Sequence, residues 1–216
     1  AVNWFVYIYA VQSDQVYQAS LGYYINPLMY VLVGVTFLGE RLRRLQVVSL
    51  VLAATGVLIL TLSYGRLPWI ALVLGVSFTA YGVIRKQVAV GAMPGLFVET
   101  MLLLPLALGW LVFVIESGQS SFLSGSTAND VLLIVAGPLT VVPLVCFAIA
   151  ARKLTLTIIG FMQFIAPTLQ FMVGVAYGEV LTTAHLVCFV FIWTAVALFS
   201  FDVVRSNRRT AGARNL

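Results

Sequence analysis

Residues 25–40, INPLMYVLVGVTFLGE, decide how this chain folds. The stretch is apolar enough to enter a membrane, yet it contains an asparagine, a proline and two glycines. Nearly the same pattern returns at residues 165–179 as IAPTLQFMVGVAYGE. A match of this length within one chain indicates two copies of one structural unit.

The composition is that of an integral membrane protein. Hydrophobic residues make up 62% of the 216 residues and charged residues 9%, against about 45–50% and about 25% in soluble domains. The apolar residues occur in runs long enough to cross roughly 30 Å of hydrocarbon as helices. Strict alternation of apolar and polar residues is absent, so we predict an all-α membrane protein, a polytopic helical bundle.

Breaks at glycine, proline and charge clusters divide the chain into seven full membrane spans and one partial span. The partial span, residues 1–11, is too short to cross a bilayer, so we expect the chain to begin partway through a helix. The full spans are predicted at residues 19–38, 45–63, 69–84, 96–115, 130–151, 157–177 and 185–203.

The basic residues predict the orientation. Eleven of the 12 Lys and Arg residues fall in alternate breaks, and only Arg66 lies in the opposite ones. Because positively charged breaks stay in the cytoplasm, we predict a multi-pass protein of the inner (plasma) membrane with a cytoplasmic C-terminus. The net charge of +5 is thereby explained, and no nucleic-acid partner is expected. The eleven are Arg41, Arg43, Arg44, Arg85, Lys86, Arg152, Lys153, Arg205, Arg208, Arg209 and Arg214.

The two copies align at an offset of 140 residues, which matches Pro27 with Pro167 and Gly34 with Gly174. Three further spans precede the second copy, whereas only the partial span precedes the first. We therefore expect roughly two and a half helices, about 70 residues, to precede Ala1 in the complete protein, which would hold two five-helix repeats. Five is odd, so the repeats must insert in opposite orientations, an arrangement typical of secondary transporters.

Six motifs occur in order along the chain: NWFVYIYAV, ASLGYYINPL, FLGERLRRLQ, YGVIRK, FVETMLLLP and GFMQFIAPTLQF. Together they resemble the RarD branch of the EamA drug/metabolite transporter superfamily, and the resemblance covers essentially the whole chain. It implies a ten-helix inner-membrane permease built from two inverted EamA repeats. Residues 1–63 would be the C-terminal part of the first repeat, residues 69–203 the second repeat, and residues 204–216 a basic cytoplasmic tail.

Prolines and amides within the spans are the first candidates for a substrate cavity. Pro27 and Pro167 each remove a helical hydrogen bond, and either line a cavity or only bend the bundle. Asn26, Gln163 and Gln170 are neutral polar side chains at membrane depth, and either bind substrate or join neighbouring helices. If the repeats face each other, Asn26 and Gln163 approach the same central region.

Glu99 is an acidic residue inside a predicted span, and intramembrane acids are candidates for proton coupling. A structural alternative is equally open. In the first turn of its helix, Glu99 would favour the helix N-terminus or pair with Arg85 or Lys86 across the preceding loop.

Aromatic and amide side chains complete the predicted cavity. Such groups suit an amphipathic small molecule, although Trp and Tyr also populate the membrane interfaces. The set consists of Asn3, Trp4, Tyr7, Tyr23, Tyr24 and Tyr81.

Enzyme signatures such as GxSxG, HExxH and GxxxxGK[ST] are absent from the sequence, so no catalytic residue is expected. The single histidine, His185, has no second ligand at metal spacing, and no metal or cofactor is expected. The leading hypothesis is a secondary transporter that moves a small organic metabolite or drug by alternating access. The alternative is a non-transporting membrane interaction or regulatory protein. Expected partners are a small-molecule substrate and membrane lipid, and a homodimer is left open.

Overall fold

The computed structural model describes residues 2–13, 15–65, 67–120, 122, 126–176 and 182–214, and these residues contain helices and no strand. The all-α prediction is thereby confirmed. The described helices are α1 (Val2–Gln12), α2 (Val16–Thr36), α3 (Arg44–Ser63), α4 (Trp69–Gln87), α5 (Ala92–Glu116), α6 (Thr127–Lys153), α7 (Leu156–Gln163), α8 (Ile165–Ala176) and α9 (Thr183–Arg214).

Five of the described helices are long and apolar enough to cross a membrane: α3, α4, α5, α6 and the Thr183–Ser206 part of α9. The chain is therefore a multi-pass membrane protein. Two of the seven predicted full spans do not reach this standard. Helix α2 has 21 residues but carries Gln18 and Asn26 in its apolar sequence, and the span predicted at 157–177 is not one helix.

The break in that span has a local cause. Helix α7 ends at Gln163 and α8 begins at Ile165, with Phe164 between them. Pro167 has no backbone N–H to donate to the carbonyl of Gln163 four residues earlier, so a continuous helix would lose a hydrogen bond there. Pro27, by contrast, lies inside α2 without ending it.

The helix boundaries repeat with nearly the same offset as the sequence. Helices α2 and α7 begin at Val16 and Leu156, 140 positions apart, and α3 and α9 begin at Arg44 and Thr183, 139 positions apart. Both differences agree with the sequence offset of 140 within the about 1–2 residues to which helix ends are defined. The two copies therefore share helix positions as well as residues.

The chain divides into two compact units. Unit 1 comprises Ala1–Val83 and Leu154–Leu216, and unit 2 comprises Ile84–Lys153. In unit 2, α5 packs beside α6, and nearly all the apolar side chains of both helices remain exposed. Exposed apolar surface of this kind is what lipid tails cover. The division by repeats, at residues 1–63 and 69–203, stays a prediction.

In unit 1 the tightest packing joins α3 to α9, where small residues let the helices approach. Ala53 and Ala195 are fully buried between them. A Cβ added at Gly56 would lie 2.8 Å from the Cβ of Phe191 and 3.1 Å from the carbonyl oxygen of Cys188. Because lipid tails are as apolar as the helices, this close van der Waals contact supplies much of the association energy.

An ion pair joins the same two helices at the end where α3 begins. Arg43 Nη1 lies 3.1 Å from Asp202 Oδ2, and Asp202 is buried. Arg43 also precedes the first turn of α3, where its backbone N–H donates to Gln46 Oε1 at 3.0 Å. The α3–α9 pair is therefore held by apolar packing along its length and by charge at one end.

We predict that Gly56→Ala destabilises the protein by about 1–3 kcal/mol, because the added methyl group must push α3 away from α9. Gly109→Ala is the matched control: Gly109 lies within α5, and a Cβ added there meets no atom within 4 Å. Thermal unfolding in detergent, followed by circular dichroism, measures both variants. A melting temperature for Gly56→Ala equal to that of Gly109→Ala would contradict the tight packing described here.

Candidate functional site

Three helices of unit 1 meet at a cluster of neutral polar side chains, which we call the amide cluster: Asn26 of α2, Thr79 of α4 and Gln163 of α7. Asn26 Nδ2 donates to Gln163 Oε1. Thr79 Oγ1 donates to Asn26 Oδ1 at 3.2 Å. Asn26 and Thr79 are both buried. The structure thus brings together the two amides that the sequence placed in opposite repeats.

Close backbone approach allows the amides to meet. A Cβ added at Gly160 of α7 would lie 2.6 Å from the carbonyl oxygen of Pro27 and 3.1 Å from Val31 Cγ2. Any other residue at position 160 would force α2 and α7 apart. Pro27 is fully buried at this crossing, where its carbonyl faces α7.

Tyr30 closes the cluster on the side of α4. Its side chain is fully buried, and its hydroxyl donates to the carbonyl oxygen of Phe78 at 2.8 Å. The ring lies against Gly82, where an added Cβ would collide with the phenol oxygen. Tyr30 and Thr79 were not among the residues predicted from sequence, although each is a polar group in an apolar run.

The amide cluster contains an unsatisfied donor. Among the described residues, Gln163 Nε2 is the buried side-chain polar atom without a partner in normal hydrogen-bond geometry, although the Gln163 side chain does interact with the hydroxyl of Tyr30. Leaving such a donor unpaired costs about 1–3 kcal/mol, so buried orphan groups point to a strained site or to a partner that comes from outside the protein. Gln163 Nε2 therefore has hydrogen-bond donor capacity that the described residues do not use in normal geometry.

Four of the five predicted aromatic residues divide between two places. Trp4, Tyr7 and Tyr23 form a chain of edge-to-face contacts, with 6.1 Å between successive ring centroids, along α1 and α2. Tyr81 tilts against Phe78 at 6.2 Å, on the helix that carries Thr79. These four rings and the amide cluster all belong to unit 1.

Asn3 joins helices in the structure. Its Nδ2 donates to the carbonyl oxygen of Leu74 and to Ser77 Oγ, both at 3.0 Å. Both acceptors belong to α4, so Asn3 fastens α1 to the helix that also supplies Thr79. This is the helix-joining use that polar side chains commonly have in membranes.

Tyr24 lies on a different face of α2 from Asn26, because two residues along an α-helix turn the side chain by about 200°. It packs edge-to-face against Phe189 of α9, with ring centroids 6.0 Å apart. It also lines a cavity of about 310 Å³ between α2, α3 and the start of α9. The other described lining residues are Ser20, Leu21, Leu60, Ser63, Tyr64, Thr182 and His185.

Pro167 and Gln170 belong to α8, beyond the break. Pro167 is fully buried, and its role in ending α7 places Gln163 at the helix terminus. The side chain of Gln170 lies outside the described residues.

Glu99 belongs to unit 2 and has a charged partner there. Its Oε2 lies 3.2 Å from Arg85 Nη2, and the Arg85 side chain is buried whereas that of Glu99 is 43% exposed. A Cβ added at Gly95 would collide with the guanidinium of Arg85, so a side chain there would require Arg85 to shift. The ion pair is the structural alternative that the sequence left open.

Within the described residues no group of three or more His, Cys, Asp or Glu side chains is placed to hold a metal ion. The amide cluster is likewise built from neutral groups. It can bind by hydrogen bonding and shape, and it has no described side chain that acts as a nucleophile.

Several known proteins resemble this chain in sequence. The profile of the EamA-like transporter family matches residues 1–62. An uncharacterized transporter of Pseudomonas aeruginosa is 48% identical over 97% of this chain and 70% of its own length. Protein RarD of Escherichia coli is 45% identical over 97% of this chain and 71% of its own length. A more distant P. aeruginosa relative, the chloramphenicol-sensitive protein RarD, is 30% identical over 97% and 70%.

A solved crystal structure shares the fold. It superimposes with a TM-score of 0.62 over 90% of this chain and 71% of the other, at 21% identity. The assignment rests on the relatives that match nearly the whole of this chain and more than two thirds of their own length. The chain therefore belongs to the RarD-type branch of the EamA-like transporter family.

Proposed function

We propose that the protein is a secondary transporter that carries a small organic molecule across the inner membrane, with the amide cluster as part of its substrate site. The observation that carries this proposal is the buried, unpartnered Nε2 of Gln163 beside Asn26. If the cluster only packed the helices together, this donor would stay unpaired, which costs free energy. An acceptor on a substrate would pair with it. The family and its relatives named as transporters support the same conclusion.

The mechanism we propose is alternating access between two inverted repeats. The recurrence of helix starts at offsets of 140 and 139 residues supports the repeat, and the alternation of basic residues between breaks supports the inversion. On this basis Asn26 and Gln163 are contributed by opposite repeats and meet at their interface, where substrates of such transporters bind. The same alternation supports a cytoplasmic C-terminus.

The substrate class follows from the neutrality of the site. The cluster offers amides and hydroxyls and is flanked by the rings of Tyr30 and Phe78, whose centroids lie 6.3 Å apart. We propose a neutral, amphipathic molecule with a hydrogen-bond acceptor and an aromatic or apolar body. Chloramphenicol, which appears in the name of one relative, has this chemistry and is a practical first probe.

The first test introduces two substitutions into the full-length gene. The variant is expressed in a host from which its own transporters of this family have been deleted. We expect Asn26→Leu/Gln163→Leu to reduce energy-dependent movement of labelled chloramphenicol by roughly tenfold or more, because both substrate-facing amides are lost. Stability should fall only slightly, since the two amides that bond each other and the unpaired donor of Gln163 are removed together, and only the hydroxyl of Thr79 loses its acceptor. Each single substitution should be less stable than the double, because it leaves the other amide unpaired.

Gln87→Leu provides the matched control, because Gln87 is exposed at the end of α4. Wild-type transport by Gln87→Leu is expected. Full transport by the double variant would show that the amide cluster is not part of the substrate site. If the wild-type protein moves no member of a panel of neutral amphipathic molecules, the interaction or regulatory role is favoured instead.

Glu99 stays a predicted proton-coupling residue. If it carries the coupled proton, Glu99→Gln abolishes the pH dependence of transport while the substrate still binds. The measurement is transport against an imposed pH gradient in proteoliposomes. An unchanged pH response would leave Glu99 as the ion partner of Arg85 and nothing more.

A further inference from the structure

Glu40 follows α2 and reaches across to the first turn of α7. Its Oε1 accepts a hydrogen bond from the backbone N–H of Leu156 at 2.6 Å. Its Oε2 accepts from the backbone N–H of Thr157 at 2.9 Å and from Thr157 Oγ1 at 2.7 Å. Both carboxylate oxygens are thus committed to one helix N-terminus, 116 residues away in sequence.

The chain between α2 and Glu40 is shaped for this contact. Gly39 adopts φ +65°, a left-handed conformation that favours glycine. The backbone N–H of Glu40 donates to the carbonyl oxygen of Gly34 at 2.9 Å, which folds the segment back onto its helix. A Cβ added at Gly34 would lie 2.8 Å from Glu40 Oε2 and 3.2 Å from Leu156 Cβ, so a side chain there would displace the carboxylate.

The contact is favourable for a charged group. The N-terminus of a helix carries a partial positive charge and unpaired N–H donors, both of which stabilise a carboxylate. Thr155 caps α7 locally by accepting from Ile158 N at 3.3 Å, and Glu40 adds a second cap from another helix. Hydrogen bonds to charged groups are also stronger than those between neutral groups.

The contact can also open. Glu40 is partly accessible, so water can replace each of its hydrogen bonds. The α2–α7 end also buries the apolar side chains of Leu156 and Val31, so the bonds of Glu40 and this apolar contact together hold the end closed. Loss of the carboxylate removes the polar part of that closure.

We propose that Glu40 is a latch: its bonds to α7 close the substrate site at the end of the α2–α7 pair next to Arg41, and their release opens that end. The inference rests on the proposed function, because the amide cluster lies further along the same two helices. Between the latch and the cluster, Val31 is 1% exposed and packs at Gly160. With the latch closed, Val31 and the amide cluster behind it are shut off from the end next to Arg41. The sequence repeat places Glu179 at the matching position of the second copy, outside the described residues.

The test follows the accessibility of a thiol behind the latch. In purified full-length protein that carries Cys146→Ser and Cys188→Ala, Val31→Cys supplies the reporter. We expect Glu40→Ala to raise its rate of labelling by a water-soluble maleimide at least roughly tenfold, because three charge-assisted bonds are lost. Thr157→Val, which removes one of the three, should give a smaller increase, and Glu116→Gln, at the exposed end of α5, should give none.

A second reporter separates opening from unfolding. Cys188, retained alone in the Cys146→Ser background, is fully buried at the α3–α9 interface, and its labelling rate should not change in Glu40→Ala. An equal rise at both thiols would show that Glu40 only stabilises the fold, and no rise at Val31→Cys would show that it closes nothing. Either result overturns the latch. Labelling needs no substrate, so this outcome is independent of whether transport through the amide cluster is observed.

Discussion

The crossing of α2 and α7 is the contact on which the proposed site depends. Gly160 allows the backbone of α7 to reach the carbonyl of Pro27, and only at that separation can Asn26 hydrogen-bond to Gln163. In a membrane, such small-residue contacts replace the hydrophobic effect as the source of helix association. The glycine therefore fixes a distance, and the distance determines whether two polar side chains at membrane depth meet each other or remain unpaired.

Two kinds of interface coexist in unit 1. Helices α3 and α9 are joined by tight contacts of small and aromatic side chains, which is suited to a rigid support. Helices α2 and α7 are joined by polar contacts at both the cluster and Glu40. Hydrogen bonds can exchange with water or substrate without opening an apolar cavity, whereas buried apolar contacts are lost outright when they separate. In the mechanism proposed above, the exchangeable bonds between α2 and α7 are the ones that open, and the α3–α9 pair serves as the support.

Much of the fold can be predicted from the sequence, because membrane helices depend on local runs of apolar residues and on the charges between them. Runs of apolar residues predicted the helices, and the recurrence of a proline and a glycine predicted the repeat that the helix starts at Val16 and Leu156 reproduce. The break at Phe164 was missed, because a proline inside an apolar run is compatible with either a kink or an interruption. Pro27 and Pro167 gave the same signal and had different outcomes.

The site was only partly predictable, for a physical reason. Asn26 and Gln163 stand out as amides in apolar runs, but Thr79 and Tyr30 join them through long-range packing that periodicity does not encode. The partners of Glu40 are likewise invisible in sequence, because its acceptor oxygens meet backbone N–H groups that any residue could supply. Glu99 illustrates the converse, since its position across the loop from Arg85 and Lys86 made an ion pair one of the alternatives that the sequence left open.

We propose that the side-chain amide of Gln163 binds the substrate. The ¹⁵N resonance of that amide reports such binding most directly. In protein labelled with ¹⁵N at glutamine side chains, the signal is assigned by its loss in Gln163→Leu, with buried Gln46 as the internal reference. Addition of chloramphenicol should shift the Gln163 signal and slow its hydrogen exchange, while the Gln46 signal stays in place. A transported substrate that leaves the Gln163 signal unmoved would contradict the account.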